Sequence, residues 1–221
     1  SKIASAILDA DVLVGLAHVT GHVQTGLAAA IKNVGMGCAS RAGKLDQHSV
    51  THPRVNPKQC RNCSVCMAFC PEAAIVQAEG HVVIDPARCI GCGECLVVCK
   101  YGAIKMKWDE DSLRLQEKMA EYAKRVVDHF KGKAAFVSFL IQVTKDCDCM
   151  AKNQKRIVED AGILASLDPV AIDQATADIL VERGGNTDPL RAGYDLDWSG
   201  QLAHGERIGL GTRAYSLVKA A

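Results

Sequence analysis

Residues 60–70 read CRNCSVCMAFC and residues 89–99 read CIGCGECLVVC, each with the spacing C-x2-C-x2-C-x3-C. The second run repeats the first at an offset of 29 residues, and the same offset carries Ala74 onto Ala103 and Ile75 onto Ile104. The segment is an internal duplication. Three closely spaced thiolates on a tight loop can hold three corners of one cubane cluster, while the fourth, starting the next helical turn, points away from it. A pair of structural zinc sites is the alternative, since four thiolates also suit zinc. Zinc ribbons, however, join one C-x2-C to a distant second one and have no need of two such dense runs.

The pattern resembles that of two-cluster bacterial ferredoxins, in which the fourth cysteine of each run ligates the opposite cluster. That resemblance implies one [4Fe-4S] cluster on Cys60, Cys63, Cys66 and Cys99, and a second on Cys89, Cys92, Cys95 and Cys70. Pro71 follows the first run, whereas Lys100 stands where a second proline is expected. Lys100 keeps its N–H and adds positive charge beside an anionic cluster, which tunes potential without touching ligation. Gly91 and Gly93 suit a backbone that must approach a cluster closely. Between the runs, residues 74–86, AIVQAEGHVVIDP, predict a short hairpin whose Val76, Val82 and Ile84 keep water away.

With 221 residues, 48% of them apolar, the chain can bury a sizeable core. The net charge of +1 carries no clustered basic excess, which argues against nucleic acid or an anionic membrane surface as the main partner. Val12–Ile31 is uncharged and long enough to cross a bilayer. It contains His18, His22, Gln24 and several glycines, so it reads as a strand, a loop and a helix, and no membrane insertion is expected. Disulfide frameworks belong to small secreted domains without a core, so the eleven cysteines point to metal and to a cytoplasmic location.

Outside the duplication, Asp11–Leu16 (DVLVGL) predicts a buried strand, and residues 24–37 (QTGLAAAIKNVGMG) predict a helix stopped by glycines. Ser112 is positioned to cap a helix bearing Met119, Ala123, Val126 and Phe130 at helical spacing, with Glu121 able to pair with Arg125 and Gly132 ending it. Ala134–Val143 and Gly162–Leu167 read as buried strands. Asp168-Pro169 reads as a helix cap followed by proline at the first helical position, with the helix running to Glu182. Alternating strands and helices predict an α/β domain with a mainly parallel sheet, built from residues 1–52 and 108–221. A small α+β ferredoxin-like insertion interrupts it at residues 53–107 and carries the two clusters.

AIKNVGMGCASRAGK at 30–44, the cysteine duplication, KDCDC at 145–149, GILASLDPVAIDQA at 162–175 and GERIGLG at 205–211 occur in this order. Together they resemble the uncharacterised iron-sulfur center proteins of domain-of-unknown-function family 362 across essentially the whole chain. The resemblance implies an iron-sulfur protein of unassigned reaction and supplies no catalytic residues. It also implies a further α/β segment ahead of Ser1, so the chain is expected to be a processed product or to pack against such a segment.

Two further sites are candidates. His18 and His22 follow the first strand, where open α/β sheets place ligands; with Thr20, Thr25, Lys32 and the next helix N-terminus they could bind a small anion. A structural role suits the two histidines equally. The sequence GMG at 35–37 reads as the helix stop and not as a dinucleotide loop, Asp168 as a cap and not a base, and His48 and His52 as solvated loop residues. Eight cluster cysteines leave Cys38, Cys147 and Cys149. In an extended TKDCDCM (144–150), Cys147 and Cys149 share a face, and Cys38 is expected at the same end of the sheet. With His18 or His22 as a fourth ligand they would suit zinc or a further iron; the alternative is three inert buried thiols. A nucleophile is disfavoured, because Asp146 and Asp148 raise the thiol pKa and only Lys145 opposes them.

The residues thus predict an electron-transfer protein or redox-enzyme subunit relaying single electrons through two [4Fe-4S] clusters to a site in the α/β domain. A redox partner protein is expected, and a small-molecule ligand and an additional metal are compatible with the remaining sites. The alternative is a non-catalytic metal-binding or cluster-handling protein. An oxidoreductase activity is left open, with no substrate indicated.

Overall fold

The computed structural model describes residues 2–48, 53–105, 111–150, 153–185 and 187–219. It divides into two compact units, one made of residues 3–39 and 111–221 and the other essentially of residues 40–110. The first stretch contributes α1 (Ser5–Leu8), β1 (Leu13–His18), β2 (Thr20–His22), β3 (Gly26–Ala28) and α2 (Ala30–Gly37). The second unit contains α3 (Arg41–His48), β4 (Arg54–Val55), α4 (Val65–Ala68), β5 (Ile75–Gln77), β6 (Val82–Ile84), α5 (Glu94–Val98) and β7 (Ile104–Lys105). The chain then returns with α6 (Ser112–Phe130), β8 (Ala134–Leu140), β9 (Gly162–Ser166), α7 (Pro169–Arg183), α8 (Pro189–Tyr194) and α9 (Gly200–Arg207). His52, Lys107 and Trp108, at the expected edges of the insertion, lie outside the described residues.

The larger unit is built on a three-stranded sheet in the order β1-β8-β9. It is mixed α/β, and its sheet is mixed too: β1 pairs with β8 in parallel, while β8 and β9 are antiparallel. A parallel return needs a long crossover, usually a helix. Here the described residues after β8 pair instead with those before β9. Thr144 and Arg156 form an antiparallel bridge, and the N–H groups of Ile157 and Ala161 donate to the carbonyls of Val143 and Leu140, both at 2.8 Å.

One sheet face is closed by helices. Gly15, Ala17, Ala134, Phe136, Ser138 and Leu140 are buried, with α2 packed on β1 and α7 on β8 and β9. On the opposite face Val14, Leu16 and Ile163 are 59%, 60% and 58% exposed. β1 and β9 are therefore half-covered strands and not the fully buried ones expected. α6 presents Leu115, Met119, Ala123, Val126 and Phe130 to the core, as its apolar spacing requires. Its cap is Asp111 and not Ser112, the carboxylate accepting from Arg114 N–H at 2.9 Å, and Glu121 meets His204 Nε2 at 3.2 Å. α2 ends at Gly37 as expected, but Gly35 lies inside it. A Cβ on Gly35 would sit 2.3 Å from the Met119 carbonyl oxygen, so this glycine lets two helices touch and does not end one. Asp168 caps α7 as expected, accepting from Val170 and Ala171 N–H at 2.8 and 3.0 Å.

The smaller unit is two-fold repetitive. β4 pairs with β7 and β5 with β6, both antiparallel, and Val55↔Ile104 is the duplicate of Ile84↔Ile75. Asn56 N–H donates to Ala103 O and Asp85 N–H to Ala74 O, each at 2.7 Å. The repetition reaches the backbone dihedrals. Asn62, Ser64 and Ala73 have φ of 49°, 59° and 45°, and their counterparts Gly91, Gly93 and Gly102 have 66°, 77° and 60°. The small core consists of Ile75, Val82 and Ile104 with Cys66 and Cys95. Val82 faces inward as expected, but Val76 is 42% exposed and Ile75 takes its place, because Ile75 and Val82 lie on the same face of the hairpin.

Candidate functional site

The smaller unit gathers its eight cysteines into two groups. Cys60, Cys63 and Cys66 line one pocket together with Cys99 from the second run. Cys89, Cys92 and Cys95 line another together with Cys70 from the first. Left-handed residues at 62, 64, 91 and 93 turn each loop tightly enough to bring three sulfurs to one side. Four-residue α4 and five-residue α5 then carry the chain on to the fourth cysteine. Backbone N–H groups face two of the sulfurs, Asn62 to Cys60 at 3.4 Å and Ala74 to Cys70 at 3.2 Å.

Crowding of thiols around one centre makes ionisation costly. Burial pushes the Cys66 thiol up, and Cys99 and Cys63 push it further. Cys95 is pushed up to about 12, by burial first and then by Cys89 and Cys92. A bound cationic centre reverses this balance by attracting each thiolate. Two sets of four converging sulfurs, each in a mainly apolar pocket, therefore fit a metal centre apiece.

The larger unit holds a different constellation. A cavity of about 300 Å³ opens at the C-terminal end of β1, lined by Leu16, His18, Thr20, Lys32, Cys147 and Cys149 among others. Cys147 and Cys149 are joined as a disulfide with their Cα atoms 5.4 Å apart. Cys147 is buried and Cys149 exposed. Their loop is the tip of the excursion between β8 and β9, and it is anchored on both sides. Gly21 N–H donates to Thr144 O at 2.8 Å, and a Cβ on Gly21 would meet the Lys145 carbonyl oxygen at 2.3 Å. Asp146 N–H donates to Gln154 Oε1 at 2.9 Å, the Tyr194 hydroxyl donates to the Asp146 carboxylate, and Lys145 Nζ lies 4.3 Å from the Tyr194 ring centre.

His18 pairs with Asp148 through Nδ1 and donates through Nε2 to the Ile141 carbonyl, both at 2.8 Å. Burial pulls its pKa down, but the Asp148 and Ile141 hydrogen bonds outweigh that and raise it. Both nitrogens are engaged, so His18 has none left for a metal. His22 is the histidine that stands with the sulfurs: one donor atom from each of His22, Cys147 and Cys149 lies within 4.8 Å of the others. Reduced, these three could hold a metal; joined as a disulfide, the cysteines offer no thiolates.

Cys38 is not in this group. α2 starts beside the cavity and runs back along β1, so its eight residues carry Cys38 about 12 Å toward the other end of the sheet. There the Cys38 carbonyl accepts from Ala4 N–H at 2.9 Å. The N-terminus of α2 is likewise not open to an anion, because Asp173 Oδ1 and Oδ2 already accept from Ala30 and Ile31 N–H at 2.8 Å. Thr25 is fully buried, donating to Leu27 O at 3.0 Å and standing 2.9 Å from His22 Nδ1. Lys32 is the residue whose part the sequence left vague. Its ammonium donates to Cys147 Sγ at 3.7 Å across 115 residues of chain, and burial lowers its pKa against the pull of Asp148.

Fold and sites together define a mixed α/β protein that carries a duplicated unit with four cysteines around each of two pockets. Residues 1–178 match a domain of unknown function, DUF362, and the chain belongs to that family. No curated protein matches the chain. Among the described residues no helix is long and apolar enough to cross a membrane.

Proposed function

We propose that the chain is an iron–sulfur electron-transfer protein or redox-enzyme subunit carrying two [4Fe-4S] clusters, one on Cys60, Cys63, Cys66 and Cys99 and one on Cys70, Cys89, Cys92 and Cys95. The smaller unit is on this reading a two-cluster ferredoxin-type module inserted in the α/β unit. The observation that carries it is the convergence of each set of four sulfurs on its own pocket, with one ligand exchanged between the runs. When bound, the clusters supply one-electron redox chemistry at low potential. The chain's own residues fix the thiolates through left-handed loop positions. They offer N–H groups to Cys60 and Cys70, and shield the sites with Ile75, Val82 and Ile104.

The test is composition and potential. Protein isolated without oxygen should hold about eight iron and eight sulfide per chain and titrate reversibly at roughly −400 mV. Zinc without acid-labile sulfide would overturn the reading. Ready transfer of iron and sulfide to an apo-acceptor would favour a cluster-handling protein over an electron carrier.

A further inference from the structure

The Cys147–Cys149 bond closes a loop with a single residue inside it. A disulfide stabilises a fold by restraining the unfolded chain, and the restraint shrinks with the loop it closes. This bond is therefore a poor staple, and the loop that carries it is already held by Gly21, Gln154 and Tyr194. Three features around it have no structural use of their own. Cys149 is exposed at the cavity while its partner is buried. The Lys32 ammonium is directed at Cys147 Sγ. The hydroxyl of Thr20, a residue 1% exposed and lining the cavity, has no hydrogen-bond partner among the described residues.

We propose that Cys147 and Cys149 form a redox-active disulfide that exchanges with a small carboxylate-bearing thiol bound in this cavity. The volume of about 300 Å³ is at the lower end of small-molecule sites. Lys32 supplies the positive charge, and Thr20 a hydroxyl that needs an acceptor.

The exchange balances within these groups. The thiolate of the incoming molecule attacks Sγ of Cys149, the accessible sulfur, and the S–S bond breaks. Its electron pair leaves on Sγ of Cys147, where Lys32 donates a hydrogen bond to the new thiolate. A second thiol attacks the mixed disulfide, releasing the small molecule as its symmetrical disulfide and leaving Cys149 reduced. Two thiols give up two electrons and two protons; Cys147 and Cys149 take them. The reverse sequence oxidises the pair. A leaving thiolate that is stabilised leaves faster, so Lys32 sets the rate of opening. The proposal stands independently of the clusters.

The test uses the whole folded protein and peptide-resolved mass spectrometry, because trypsin releases Asp146–Lys152 with these two cysteines and no other. After incubation with mercaptopropionate and native alkylation, this peptide should carry two alkyl groups; without the thiol it should carry none. Mercaptopropionate should react faster than neutral mercaptoethanol and faster still than cationic cysteamine, after correction for thiol pKa. A Cys147→Ser variant should form a mixed disulfide at Cys149 with the disulfide of mercaptopropionate, and Cys149→Ser should react at the buried Cys147 about tenfold more slowly. Lys32→Gln, with an unchanged circular dichroism spectrum, should open the disulfide about tenfold more slowly. The proposal falls if the peptide stays unalkylated after thiol treatment, if cysteamine matches mercaptopropionate, or if the reduced pair with His22 retains stoichiometric zinc that blocks alkylation.

Discussion

Ala73 carries a left-handed backbone, φ 45°, that its duplicate Gly102 adopts without a Cβ penalty. An L-residue in this region costs roughly 1–2 kcal/mol, and glycine in the unfolded chain returns about 0.5–1 of that. Ala73→Gly should therefore stabilise the smaller unit by about 0.5–1 kcal/mol in chemical denaturation, and no gain would mean the loop relaxes around the alanine. The cysteines make a sharper test. Cys70→Ser should damage the centre shared with Cys89, Cys92 and Cys95 and spare the one beside its own run, as read by spin quantitation of the reduced protein. Loss confined to the Cys60–Cys63–Cys66 centre would refute the crossed arrangement. The cysteine runs are legible in sequence because their geometry is local. The Lys32–Cys147 contact was not, since the partners are far apart in the chain and no motif marks the lysine. The partners of the two neighbouring aspartates were equally hidden, Asp146 being engaged by Tyr194 and Asp148 by His18.

At the scale of the element, the cap of α7 was readable because Asp168-Pro169 settles it within three residues. The direction of β9 was not, because it depends on how the chain returns from β8, and a Val- and Ile-rich run looks alike in either orientation. Nor was the tertiary cap of α2 visible, in which Asp173 of α7 reaches back to Ala30 and Ile31. Burial raises the Asp173 pKa to about 7, partly offset by the two N–H donors. An unfolded aspartate loses its proton near pH ~4. Between these values the folded state binds the additional proton, so stability falls as pH rises from about 4 to about 7 and levels off above. Asp173→Asn cannot ionise and sets an amide against an N–H, so it should be less stable overall yet lack this slope. Denaturation at about pH 5 and about pH 8 should show the parent losing stability relative to the variant; parallel behaviour would place the proton elsewhere.

Across the whole molecule, the change in sequence character at the cysteine runs suggested an insertion at residues 53–107, whereas the compact unit spans residues 40–110, and the two-faced sheet was not legible at all. Phe136 is fully buried under helices, while Val14 and Ile163 lie largely open. Phe136→Ala should cost about 3–5 kcal/mol, and Val14→Thr or Ile163→Thr less than about 0.5 kcal/mol. A large loss on threonine substitution would reveal that this face is covered in solution. The crossing of Cys70 and Cys99 between the two pockets has a different kind of consequence. Each centre, on the proposed loading, needs both halves of the duplication in register before its fourth ligand arrives, and each completed centre holds that register for the other. Chains short of iron would then sort into fully loaded and empty populations, with singly loaded ones scarce, so that scarcity lowers the number of working molecules and leaves each one whole.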